Sequence, residues 1–165
     1  MVPRVVIPRG RLVFAAAVVV LVAAAPAAAT EVTRDSYKES VEPICKVNTQ
    51  ANEKILKGAK AEVNANKLRP AAVQFTKAAA ALKKAYAQLA AVPKPPADTA
   101  KLTKWLSYVK AETQLFEATA AKLKAGDKTA AEANVVRLTH TANLANDQVL
   151  GFEFEYCRFE PSRFT

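Results

Sequence analysis

The chain has 165 residues, enough for one domain and not for a second independent core. Half of it is hydrophobic (51%), but much of that fraction is alanine, the best helix former and a poor source of buried area. A net charge of +9 with a single histidine, four glycines and two cysteines leaves few residues for metal, haem or phosphate-loop chemistry.

The N-terminal stretch has the order of a secretory signal peptide. Arg4, Arg9 and Arg11 form a positive start without an acidic residue. The apolar run 12–25 is shorter than the ~20 residues that span a bilayer, and Pro26 then precedes the small residues Ala27, Ala28 and Ala29. Cleavage is expected between Ala29 and Thr30, giving a leader of 1–29 and a domain of 30–165. The alternative is an uncleaved anchor formed by extending the run to Ala29. No adjacent arginine pair is present, so the general secretory route is expected and the product is secreted, periplasmic or held in the cell envelope. Removing the leader takes away three positive charges and no negative one, so the domain stays basic.

Four amphipathic segments follow. The first, 35–64, carries Tyr37, Val41, Ile44, Asn48, Ala51, Ile55 and Gly58 or Ala59 at steps of three and four, with Thr33 as N-cap and Pro43 as a kink or restart point. The second, 67–91, carries Leu68, Ala72, Phe75, Ala79, Leu82, Tyr86 and Leu89, capped by Asn66, with Pro70 tolerated in the first turn. Pro93, Pro95 and Pro96 stop it. Asp98 is the expected cap of the third, whose stripe is Leu102, Leu106, Val109, Thr113, Phe116, Ala120 and Leu123. Gly126 supplies a left-handed stop and Asp127 the next cap. The fourth, 128–155, runs through Ala131, Val135, Leu138, Ala142, Ala145, Val149 and Phe152.

Rods of matched length, about 40 Å each, joined by short links predict an all-α, antiparallel up-down-up-down four-helix bundle. In an exported chain Cys45 and Cys157 read as one disulfide, and their wide spacing rules out a CxxC redox or haem-attachment motif. The alternating topology brings the start of the first helix and the end of the fourth to one end, where both cysteines are expected. The aromatic run Phe152, Phe154, Tyr156, Phe159 and Phe164 is expected to fold over that end, or to dock a partner.

Catalytic and cofactor constellations are missing from this pattern. The one histidine, His140, projects away from the fourth stripe, and the one methionine is the initiator. With both cysteines bonded, no base is placed to activate a serine. Acidic residues are absent from the four stripes, apart from Glu62 near a helix end, so paired carboxylates have no pattern behind them. No cofactor, metal or enzymatic activity is therefore expected.

Two surfaces stand out instead. The stretch 63–97 holds Lys67, Arg69, Lys77, Lys83, Lys84 and Lys94 with no acidic residue. Lys77, Lys83 and Lys84 form a candidate site for an anionic envelope polymer or lipid headgroups, against the alternative of an ordinary solvated face. Export and the lack of interleaved aromatics argue against nucleic acid. Trp105 and Tyr108 form a candidate aromatic contact for a sugar or partner side chain, against the alternative of core closure around Tyr86. The functional expectation is a non-enzymatic binding or structural module; the alternative is a carrier holding a small apolar molecule between its helices.

Overall fold

A computed structural model describes residues 31–160. The leader, the Ala29–Thr30 junction and Phe164 lie outside the described residues. Within them the chain is all-helical: α1 (Arg34–Leu56), α2 (Ala59–Asn64), α3 (Leu68–Ala91), α4 (Thr99–Lys124) and α5 (Lys128–Gln148), with 3-10 turns at Pro96–Asp98 and Leu150–Phe152. Four of these helices are long and α2 is a single short one.

Local chemistry accounts for most of the boundaries. Thr33 opens α1 through a reciprocal capping box: its hydroxyl accepts from the Ser36 N–H at 3.2 Å, and the Ser36 hydroxyl accepts from the Thr33 N–H at 3.0 Å. Pro43 lies inside α1 without ending it. The expected single segment 35–64 is two helices, because Gly58 takes a left-handed φ of 84° that stops α1 and starts α2. Asn66 is likewise left-handed (φ 57°), so Lys67 rather than Asn66 is the N-cap of α3. Gly126, at φ 80°, ends α4, and the Asp127 carboxylate accepts from the Ala130 N–H at 3.0 Å to start α5.

Asp98 corrects an expectation. It stands at the N-cap position of α4 but makes no side-chain cap hydrogen bond. Its carboxylate instead accepts from Arg34 Nε and Nη2, both at 2.6 Å, and is 2% exposed. A bidentate, charge-assisted pair outcompetes a single backbone N–H for a buried carboxylate. Arg34 also lies 5.2 Å over the Phe152 ring, so one side chain joins the starts of α1 and α4 to the C-terminal tail.

The principal helix contacts are α4 with α5, α3 with α4, and α1 with α3. The third stripe is buried as expected from Leu102 to Leu123, and α3 buries Ala72, Ala79, Leu82 and Leu89 of its own. On α1 the buried face runs Tyr37, Val41, Cys45, Asn52, Leu56. From Cys45 onward it lies one residue beyond the expected apolar stripe, because a buried polar residue, Asn52, takes the place assigned to Ala51.

The tail departs most from the sequence reading. Helix α5 ends at Gln148, not near residue 155; Phe152 closes the following 3-10 turn, and 153–156 form neither helix nor strand. Phe152 packs on Tyr37 at 6.3 Å and Phe154 on Trp105 at 5.9 Å between ring centroids. The Glu42 carboxylate then accepts from the Glu155 and Tyr156 N–H groups, at 2.9 and 3.0 Å. Cys157 is bonded to Cys45 across 112 residues of sequence. The bonded pair is the expected one, but its setting differs: Cys45 lies midway along α1, and Cys157 lies on a nonhelical tail that returns beside it. Asn146 of α5 holds the other side, and α1 and α5 touch little directly, so the tail fills the seam between them.

Candidate functional site

The sequence-derived surface residues divide. Lys77, Lys83 and Lys84 are all exposed on α3. Lys83 reaches Glu117 of α4 at 3.5 Å, whereas Lys77 and Lys84 have no ion pair among the described residues. Trp105 is not a surface residue: at 1% exposed it is part of the main core, stacked on Phe154, and it is out of reach of a solvent-borne sugar. Tyr108 is half-buried against the core, with the Lys104 ammonium 4.9 Å over its ring. The two aromatics therefore form no joint contact surface. Their spacing of three put them on one flank, but that flank is covered by a tail distant in sequence.

A cavity of about 390 Å³ opens beside Phe159 of the tail. Its wall is drawn from every long helix and from α2. Leu56 and Ala59 stand at the α1–α2 junction, Phe75 on α3, and Phe116, Thr119 and Leu123 on α4. Ala131, Val135 and Leu138 on α5 and Phe159 on the tail complete it. The gap follows from small residues: Ala59 and Ala131 put a methyl group where a larger side chain would reach across.

Phe159 is fixed from two directions. Its N–H donates to Asn146 Oδ1 at 2.9 Å and its carbonyl accepts from Asn146 Nδ2 at 2.8 Å. The ring meets Phe116 edge-on at 6.2 Å, and Phe116 in turn lies 5.8 Å from Phe75. Three aromatic rings in mutual contact thus form part of the cavity wall.

The hydrogen-bonding groups of the inner wall are already engaged. The Thr119 hydroxyl donates to the Leu115 carbonyl at 2.7 Å, and the Thr139 hydroxyl to the Val135 carbonyl at 3.1 Å. Such a wall rewards apolar surface and has no free hydroxyl donor for a buried acceptor. The remaining polar lining, Lys60, Asn64 and Glu132, is exposed at the rim together with Val136, which is 70% exposed.

One titratable group that the sequence reading missed lies outside this cavity. Glu112 on α4 is 2% exposed, its Oε1 has no hydrogen-bond partner, and burial pushes its carboxyl from the ordinary 4.5 up to about 8. Its neighbours in the buried face, Val109, Thr113 and Phe116, mark position 112 as inward at helical spacing, which was the available signal. Among the described residues no group of three or more His, Cys, Asp or Glu side chains could hold a metal, and no helix is long and apolar enough to cross a membrane. No protein-family model, curated protein or solved structure matches this chain.

Proposed function

We propose that the protein is an exported, non-enzymatic carrier that binds a small apolar molecule in the cavity bounded by α1–α2, α3, α4, α5 and Phe159. The observation behind this reading is an apolar recess of about 390 Å³ whose inner hydroxyls already have backbone acceptors. That volume lies within the range typical of ligand sites, and scaling from a 150 Å³ cavity that accepts benzene gives room for roughly 15 heavy atoms. The proposal carries with it a leader of 1–29 cleaved before Thr30, and an up-down-up-down order of α1, α3, α4 and α5. Short links between the helices and the Arg34–Asp98 bridge between the starts of α1 and α4 support that order.

Titration with the neutral fluorophore 1-aminoanthracene tests the reading. Saturable one-to-one binding with a blue-shifted emission is expected, together with its loss in Val135→Trp, which fills the half-buried wall. Absence of saturable binding, or binding that survives Val135→Trp, rejects the cavity as a ligand site. Intact mass of the exported protein tests the leader: a chain beginning before Thr30 rejects cleavage.

A second reading rests on Lys77 and Lys84, exposed and without ion pairs among the described residues: the α3 face attracts an anionic envelope polymer or lipid headgroups. Retention on anionic vesicles that falls with salt and in Lys77→Glu/Lys84→Glu is its expected signature. Salt-independent retention rejects it.

A further inference from the structure

We infer that the cavity takes a linear amphiphile bearing one anionic head group, its hydrocarbon chain along the inner wall and its head at Lys60. This rests on the cavity being a ligand site and adds the chemical class of the ligand. Shape gives the first argument. The α4 lining residues Phe116, Thr119 and Leu123 and the α5 residues Ala131, Val135 and Leu138 each follow one helix face for seven residues, a trough roughly 10 Å long at 1.5 Å per residue. A trough bounded by helical rods, with the Phe159, Phe116 and Phe75 rings in its wall, suits an extended chain better than a compact ring.

Polarity gives the second. Because the Thr119 and Thr139 hydroxyls spend their protons on backbone carbonyls, an acceptor atom carried into the recess would lose its water without finding a hydroxyl donor. A head group built of acceptor oxygens must therefore stay at the rim, so the ligand is an amphiphile with one polar end.

Charge decides the sign of that end. Of the charged rim residues, Glu132 is engaged by Lys128 at 3.8 Å, whereas Lys60 has no ion pair among the described residues. An anionic head meets an unpaired ammonium there. A cationic head meets Lys60 and Lys128 together and finds only a carboxylate already engaged. The domain that remains after the leader is removed keeps 21 Lys and Arg against 15 Asp and Glu, and this basic excess draws anions toward the surface in the same sense.

The test is displacement of 1-aminoanthracene from the intact protein by decanoate, decyl phosphate, decanol and decylammonium, all below their micellar concentrations. Decanoate or decyl phosphate should displace the dye at about one-fifth the concentration of decanol or lower, the scale of one exposed charge pair, with the tighter of the two identifying the head as carboxylate or phosphate. Lys60→Glu should weaken the anionic ligand about fivefold more than it weakens decanol or the dye, and added salt should act in the same direction. Decanol or decylammonium matching the anions, or anion affinity unmoved by Lys60→Glu, overturns the assignment while leaving the cavity as an apolar site. Failure of the dye itself to bind overturns both.

Discussion

Asn146 and Phe159 are joined by a two-way amide clasp: the side chain of the first satisfies both the N–H and the carbonyl of the second, at 2.9 and 2.8 Å. A single residue near the end of α5 thereby fixes Phe159, one wall of the cavity. It does so without a regular element, because the clasp supplies the backbone partners that a helix or sheet would otherwise give.

Asn146→Ala removes both hydrogen bonds and leaves the Phe159 backbone to find water. A loss of about 1 to 3 kcal/mol in urea unfolding is expected, with weakened 1-aminoanthracene binding because Phe159 is a wall of the site. Equal stability and equal binding in the variant would show that the aromatic contacts of Phe159 hold the tail by themselves.

The disulfide acts on the same strap. Replacing Cys45 and Cys157 together by serine should lower stability by about 2 to 5 kcal/mol, since the closed loop covers 112 residues and the Glu42 contacts to the tail must then form without the cross-link. Chemical denaturation of the two forms measures the difference. Thiols of the unreduced protein should also resist alkylation.

Tyr37 offers a substitution that should stabilise. Its side chain is fully buried, its hydroxyl has no hydrogen-bond partner, and burial pushes its pKa up to about 12. Tyr37→Phe keeps the edge contact with Phe152 and removes the desolvated hydroxyl. A gain of about 1 kcal/mol is expected from thermal or urea unfolding, and a loss of that size would indicate that the hydroxyl is solvated in solution.

Glu112 makes stability depend on pH. With a folded pKa of about 8 against an ordinary 4.5, the native protein keeps its proton in this window while the unfolded chain releases it. Stability should therefore fall as pH rises from 4.5 to 8, with a slope of up to roughly 1.4 kcal/mol per pH unit, and level off above. Asp98 works in the opposite sense and at lower pH. Its hydrogen bonds from Arg34 hold it below 3.8, so its contribution is complete above that value and is lost as pH falls through the lowered one. Unfolding midpoints of Glu112→Gln across pH 5 to 8 should lack the downward slope; parallel curves for the two proteins would refute the buried acid.

Several local features were legible before any coordinates. The buried positions of α4 from Leu102 to Leu123, the caps Thr33 and Asp127, and the stop at Gly126 each depend on residues within one or two turns of one another. The Gly58 break was missed because the apolar periodicity continues across it. Of the candidate site, the clustering of aromatics beside Cys157 was the available sign that the tail packs, and the alanines at 59 and 131 the sign that the helices leave space.

Sequence alone determined what neighbours along the chain can decide: helix type, the buried faces of α3, α4 and α5, most helix ends, and the identity of the cysteine pair. Tertiary structure decided the rest. Asp98 could cap its own helix until Arg34 arrived from 64 residues away, and Trp105 could face water until Phe154 covered it. The cavity is likewise a property of no single segment. Its wall is drawn from α1–α2, α3, α4 and α5 and from Phe159, on a nonhelical tail that Asn146 and the Cys45 sulfur fix in place.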